Sequence, residues 1–358
     1  MMPIAINGRF LTQGMTGVQR FAREITAAAD RLAGHDAWPE ARLLMPNSVA
    51  QSPFAYLKAE AIGKKSGQLW EQWELPKAAK GCFLINLGNT APLMLGSGQA
   101  VVIHDAGVFD TPESYSFAFR SWYRFLHKML ARSGAQLLTV SEFSRGRIAA
   151  ALGVAPDSIS VLPEGGDHML RIAADNGVLT RHGLEAGRYA LVVGNPAAHK
   201  NLTALTSAAA LLGARGLTLA VAGAADPAVF RAGGGPAADA GLILGRVSDA
   251  ELRALYENAL CLIFPSRYEG FGLPPLEAMT CGCPVVAAHA GAVPEVCAEA
   301  ALWFDPLRPE ALAEALERLL DEEGLAAGMR AAGLKRAAQY TWEKAALALL
   351  RLVQEDAP

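Results

Sequence analysis

Phe264-Pro265-Ser266-Arg267-Tyr268-Glu269-Gly270-Phe271-Gly272-Leu273-Pro274-Pro275-Leu276-Glu277 is an apolar run, a turn holding two glycines, then two prolines leading into a second apolar run. Leu260–Phe264 suits a buried strand. Pro274 and Pro275 suit a helix start, because proline gives up an N–H that has no intrahelical partner there. Strand, tight turn and helix in that order make one βα unit of an open parallel sheet, and such sheets bind ligands at the carboxyl ends of their strands. Gly270 and Gly272 let a ligand approach the backbone, while free amides and the helix dipole favour an anion such as a diphosphate. Glu269 precedes the turn and Glu277 lies in the first helical turn. Carboxylates only accept hydrogen bonds, so two that bracket an anion site suit a hydroxyl-rich ligand. The plainer reading has Glu277 complementing the dipole and Glu269 solvated; the residues alone leave both open.

Outward from this stretch the same pattern repeats. Strands are expected at Tyr189–Val193, Leu217–Val221, Leu242–Leu244, Pro284–Ala288 and Leu302–Phe304, with helices between. Ser248 and Glu251 form a capping-box signal for the helix before Leu260. The first half alternates less cleanly: Ile4–Ile6, helix Gly17–Leu32, Arg42–Met45, Ala100–Ile103, helix Phe117–Arg132, Leu137–Val140 and Ile159–Leu162. Both halves read as α/β, so 358 residues divide into two Rossmann-like domains. The expected boundaries are 1–175, 176–340 and a C-terminal helix over 341–358 that crosses back to the first domain, packing Trp342, Leu347, Leu350 and Val353 on one face.

Composition excludes several classes. Residues 1–170 carry 16 basic and 14 acidic side chains and the remainder 16 and 21, too little positive charge for general nucleic-acid binding. Hydrophobic residues are 52% of the chain, enough for large cores. Five cysteines without paired CxxC motifs suit a reduced, cytoplasmic protein. Cys281 and Cys283 flank a turn glycine, where filling small buried spaces outweighs metal binding. No signal peptide or spanning helix is legible; 81–104 is uncharged but broken by Asn, Gly and Pro.

Glu269-Gly-Phe-Gly-Leu-Pro-Pro-Leu-Glu277 resembles the E-x7-E signature of retaining glycosyltransferase family 4, whose fold is GT-B. Its neighbours agree: Val193-Gly-Asn-Pro-Ala-Ala-His-Lys200-Asn-Leu resembles the family's phosphate turn, Gly245-Arg-Val-Ser-Asp the next turn, and Gly291-Ala-Val-Pro-Glu295 the segment that follows. The resemblance implies a nucleotide-diphosphate sugar donor. Glu269 would hold its sugar hydroxyls, Glu277 the ribose, and Gly270 to Gly272 the sugar and phosphate, with Ser266 and Phe271 beside them. Lys200 would neutralise the departing diphosphate. Asn195 and His199 stand where the family often has an arginine, and Arg246 or Arg267 is the candidate substitute. The family's reaction, in which the leaving phosphate accepts the acceptor's proton, needs no metal or other cofactor.

In the first half, Gly14-Met-Thr-Gly17-Val-Gln-Arg20 resembles the family's glycine loop beside the phosphates, without GxGxxG spacing. His104, ending an apolar run, resembles its cleft histidine, which contacts the donor sugar and positions the acceptor; Glu164 stands where asparagine is common. Arg120, Arg124, Lys128 and Arg132, four apart among aromatics, form either a basic stripe for a peripheral contact at the inner face of a membrane or a solvated helix face. The implied activity is transfer of a hexosyl unit to a saccharide or lipid-linked saccharide, with likeness to bacterial mannosyltransferases of surface polysaccharide and lipopolysaccharide, hence GDP-mannose as donor. A GT-B epimerase, a phosphorylase and a non-catalytic sugar-nucleotide-binding subunit are the alternatives.

Overall fold

The computed structural model describes residues 2–194, 197–223 and 241–355. It divides into two compact units, Met1–Glu164 with Trp342–Pro358, and Gly165–Thr341. The division falls at 164/165 rather than near 175 because the intervening stretch is bonded to the second unit. Gly166 N–H donates to Tyr340 O at 3.2 Å, and Arg253 Nη1 donates to the carbonyls of Met169, Leu170 and Ile172.

Among the described residues the first unit holds a seven-stranded parallel sheet in the order β3-β2-β1-β4-β5-β6-β7. The strands are β1 (Ile4–Asn7), β2 (Ala41–Pro46), β3 (Lys58–Ile62), β4 (Phe83–Asn86), β5 (Gln99–Val102), β6 (Gln136–Thr139) and β7 (Ile159–Val161). Among its longer helices are α1 (Gly17–Ala33), α2 (Phe117–Arg132) and α3 (Glu142–Leu152). β1, β4 and β5 are buried at every residue, as strands covered on both faces must be. Two strands escaped the sequence pattern: β3 is a charged edge strand, and β4 is four residues in the stretch read as broken.

The second unit holds a six-stranded parallel sheet in the order β10-β9-β8-β11-β12-β13. Its strands are β8 (Tyr189–Val193), β9 (Thr218–Ala222), β10 (Gly241–Gly245), β11 (Cys261–Phe264), β12 (Val285–Ala288) and β13 (Ala301–Phe304), each within a residue or so of expectation. Its helices include α4 (Leu205–Ala214), α5 (Asp249–Asn258), α6 (Leu273–Thr280), α7 (Val293–Cys297), α8 (Ala311–Asp321) and α9 (Leu325–Ala337). Val192, Leu219, Ile263 and Val286 on the strands meet Leu205, Leu212, Leu312 and Leu316 on α4 and α8 in one core. The Ser248–Glu251 capping box forms as expected. Cys261 and Cys283 are buried, and burial pushes the Cys261 thiol up to about 12, so it packs as a neutral group.

The last helix, α10 (Trp342–Glu355), belongs to the first unit. Its buried face is Trp342, Ala346, Leu349 and Val353 rather than one that includes Leu347 and Leu350; these follow i, i+4, i+7, i+11. Trp342 lies 5.8 Å from the ring of Phe21 on α1, and Gln136 Nε2 donates to Leu352 O at 2.9 Å.

On α2 the expected basic stripe divides. Arg120 Nη1 donates to Pro112 O at 3.3 Å, and Arg124 Nε donates to Val108 O at 2.6 Å while lying over the Phe109 ring. Both turn inward because a short segment, Gly107–Ser114, presents backbone carbonyls beneath them. Lys128 and Arg132 stay exposed, as do Phe117, Phe125 and Met129 on the same helix.

Candidate functional site

In the second sheet the strand order reverses between β8 and β11, which are paired neighbours. The loops leaving their carboxyl ends therefore diverge and leave room for a ligand. The loop after β8 brings Lys200 at the end of a 3-10 turn, Ala198–Lys200, and the loop after β11 brings Glu269. Arg267 N–H donates to His199 O at 2.8 Å, tying the two loops. The loop after β12 closes on the same place, since Ala292 N–H donates to Glu269 O at 3.2 Å. Gly291, at φ 62, makes that approach possible: a Cβ there would stand 2.8 Å from Glu269 N.

Lys200 Nζ and Glu269 Oε1 lie 2.6 Å apart, and the ammonium sits 5.6 Å from the centroid of the Phe264 ring. Phe264 is the last residue of β11, so the strand itself supplies the aromatic platform. Gly272 caps α6 at φ 106, and Pro274 and Pro275 sit in its first turn, the start that their sequence predicts. Ser266 and Phe271 are buried, the Phe271 ring meeting Tyr340 edge-on at 6.0 Å. Gly270 is half-buried in the turn.

Glu277 is 6% exposed. His168 Nε2 lies 3.0 Å from its Oε1, and Tyr256 O–H donates to Oε2 at 3.1 Å. A carboxylate can only accept, which puts the imidazole proton on Nε2. Burial and the Glu277 charge hold the Tyr256 phenol well above its ordinary pKa, so it stays a donor. Sequence reasoning missed both partners. His168 has no neighbour in any spacing pattern, and Tyr256 reads as one more apolar position of α5.

Arg246 is exposed just past β10, the edge strand, with β9 between it and β8. Arg267 Nη2 donates to Pro306 O at 3.4 Å. Asn195 lies outside the described residues.

His104 and Gly17 belong to the first unit. His104 follows β5 and is 5% exposed; its N–H donates to Asn89 Oδ1 at 2.7 Å and its Nε2 lies 3.0 Å from Leu87 O. Nδ1 is 3.6 Å from Glu164 Oε1, and the Phe21 ring meets the imidazole edge-on at 4.7 Å. Gly17 opens α1, and a Cβ at either Gly14 or Gly17 would meet nothing within 4 Å. Packing does not require glycine at either position.

Residues 181–336 match the sequence model of a family described as glycosyl transferases group 1. The chain is 32% identical over 253 residues to O-antigen chain mannosyltransferase B of Escherichia coli, covering 67% of this chain and 66% of that protein. It is 32% identical over 243 residues to MMP alpha-(1->4)-mannosyltransferase of Mycolicibacterium hassiacum, covering 63% and 56%. The matches thus span 66% and 56% of the length of these relatives, less than two thirds of either. Sucrose-phosphate synthase of Thermosynechococcus elongatus superposes with a TM-score of 0.71 over 99% of both chains at 19% identity. That likeness shows the fold, α/β of the GT-B class.

Proposed function

Because residues 181–336 carry a member of the glycosyl transferases group 1 family, we propose that the protein is a retaining hexosyltransferase that moves mannose from GDP-mannose to a saccharide or lipid-linked saccharide of a bacterial surface polysaccharide. The observation that carries this reading is the Lys200–Glu269 pair at the switch point of the second sheet. It offers one cation for a diphosphate and one acceptor for sugar hydroxyls. Lys200 stabilises charge as it develops on the departing diphosphate, a kind of interaction commonly worth ~3–4 kcal/mol. The diphosphate takes the acceptor's proton, so the reaction runs without a metal. Glu277 holds the ribose with its carboxylate fixed by His168 and Tyr256. The choice of mannose rests on the names of the two relatives, both mannosyltransferases.

A thermal-shift panel of GDP, UDP, ADP, TDP and CDP tests the donor: a ligand at a hundredfold its Kd stabilises by ~2.7 kcal/mol. GDP alone should shift the melting temperature. Glu269→Ala should then abolish mannosyl transfer while keeping the GDP shift, and transfer should survive EDTA. A shift by UDP alone would replace the donor; no shift and no turnover with any sugar nucleotide would remove the transferase reading.

We also propose that the acceptor is met at a membrane surface through the exposed Phe117, Phe125, Met129, Lys128 and Arg132 on α2. Sedimentation with anionic vesicles checks this, and Phe125→Ser with Lys128→Glu should leave the protein in the supernatant.

A further inference from the structure

A lysine carries its charge on a long flexible stem, so its use to a developing anion depends on what holds the ammonium in place. Among the described residues two groups hold Lys200, and they differ in kind. The first is Glu269, whose Oε1 lies 2.6 Å from Nζ. A carboxylate neutralises the ammonium that it holds, and in the transferase reading the same oxygens are wanted by the donor's sugar hydroxyls. The second is the ring of Phe264, whose centroid lies 5.6 Å from Nζ. An aromatic face attracts a cation through its quadrupole, yet it has no net charge and no oxygen to offer a sugar. Its hold therefore persists when the carboxylate is drawn to the hydroxyls, and it leaves the full positive charge to the phosphate. The ring is also the better fixed of the two. Phe264 closes β11 in register with Ala287 on β12 and is 1% exposed, whereas Glu269 stands in the loop beyond the strand with its side chain 15% exposed.

We propose that Phe264 is a positioning residue for the transfer step: its ring face keeps the Lys200 ammonium available to the departing diphosphate while Glu269 is engaged by the donor sugar. This rests on the transferase reading above and adds to it a buried residue that acts through Lys200. The plainer role for a buried phenylalanine at a strand end is to fill the core. The two roles part on one property. Packing depends on the size and shape of the ring, and cation binding on the electron density of its face. Any apolar group of the same volume serves the first, and only an electron-rich face serves the second.

The test replaces Phe264, in the whole protein, by phenylalanines bearing one, two and three ring fluorines, which drain the face stepwise at nearly constant size. The kcat for mannosyl transfer should fall with each fluorine, to about a tenth with three, as loss of a partly desolvated cation–π contact allows. The donor KM should change less than kcat, because the hold matters as charge develops, and the melting temperature should not move. A second readout needs no turnover. In Glu269→Gln the Lys200 ε-methylene protons should keep the upfield NMR shift that a ring face imposes, and the trifluorinated ring should release them. A kcat indifferent to fluorine, or loss of the upfield shift in Glu269→Gln with the natural ring, overturns the proposal. If a fluorinated protein does not fold, the Glu269→Gln spectrum decides by itself. Turnover that ignores fluorine would leave the transferase reading intact. Absence of turnover with every sugar nucleotide would remove that reading, and the spectrum would still show whether the ring holds the ammonium.

Discussion

Lys200 and Glu269 neutralise each other at 2.6 Å with side chains 17% and 15% exposed, so an incoming diphosphate competes with a carboxylate for the same ammonium. Glu269→Gln should therefore separate two quantities. Affinity for bare GDP, read by calorimetry, should rise about fivefold, as removal of a ~1 kcal/mol competing pair allows, while mannosyl transfer falls. If GDP affinity falls together with turnover, the pair does not compete with the nucleotide. Glu277 makes the complementary case. Tyr256→Phe removes one of its two buried donors and should cost ~1–2 kcal/mol of stability in urea titrations and weaken GDP. Unchanged GDP affinity in a folded variant would mean that the orientation of Glu277 does not matter to the ribose. The turn that carries both glutamates was legible in the sequence, because two glycines and two prolines leave few structural readings, whereas Lys200 entered through the likeness of its own turn to the family's. His168 was not legible, since its partner is 109 residues away and no local pattern records that contact. The inward turn of Arg120 and Arg124 was hidden for a similar reason: helical spacing fixes a side chain's direction, not what waits there.

Burial alone did not make an element legible, since β4 is buried at every residue yet was missed as four residues among Gly, Asn and Pro. The second sheet's strands are apolar runs bounded by turns, and α5 carries its own start signal in Ser248. Ser248→Ala should lower stability by ~1 kcal/mol through loss of the cap, measurable as a shift in the urea midpoint at constant slope. By contrast β3 is an edge strand with Lys58 exposed and Glu60 paired to Arg42 at 2.6 Å, so its pattern resembles a loop. Helix α2 was placed correctly, but its inner face was not readable: His127 is buried there, its Nε2 2.9 Å from Asn89 O, and burial pulls its pKa down to about 4. The unfolded chain binds this proton near pH 6.5 and the folded protein does not until about pH 4. The folded state therefore loses stability as pH falls through that window, by up to ~1.4 kcal/mol per unit. His127→Gln should flatten the difference between pH 6.5 and 5 in denaturant titrations; an unaltered slope would mean that His127 is protonated in the native state.

At the scale of the whole molecule, the chain leaves the first unit at Glu164 and returns to it at Trp342. Trp342 is fully buried, and Phe21 connects it to His104, with the rings at 5.8 Å and 4.7 Å. Trp342→Ala should cost ~3–5 kcal/mol and lower the melting of the first unit, while GDP continues to protect the second. Equal loss in both would mean that they melt as one. The sequence suggested this return, because a terminal amphipathic helix was legible, but the face it buries depends on α1, more than three hundred residues earlier. The second unit is thus an insertion within the first, its ends drawn together by the Gly166–Tyr340 hydrogen bond. On the ribosome, residues 165–341 are complete before α10 has been made. The half begun first is finished last, and for roughly 10–35 s, at ~5–20 residues per second, the nascent chain displays the bare flank of α1 around Phe21, where a chaperone or a neighbouring nascent chain can reach it.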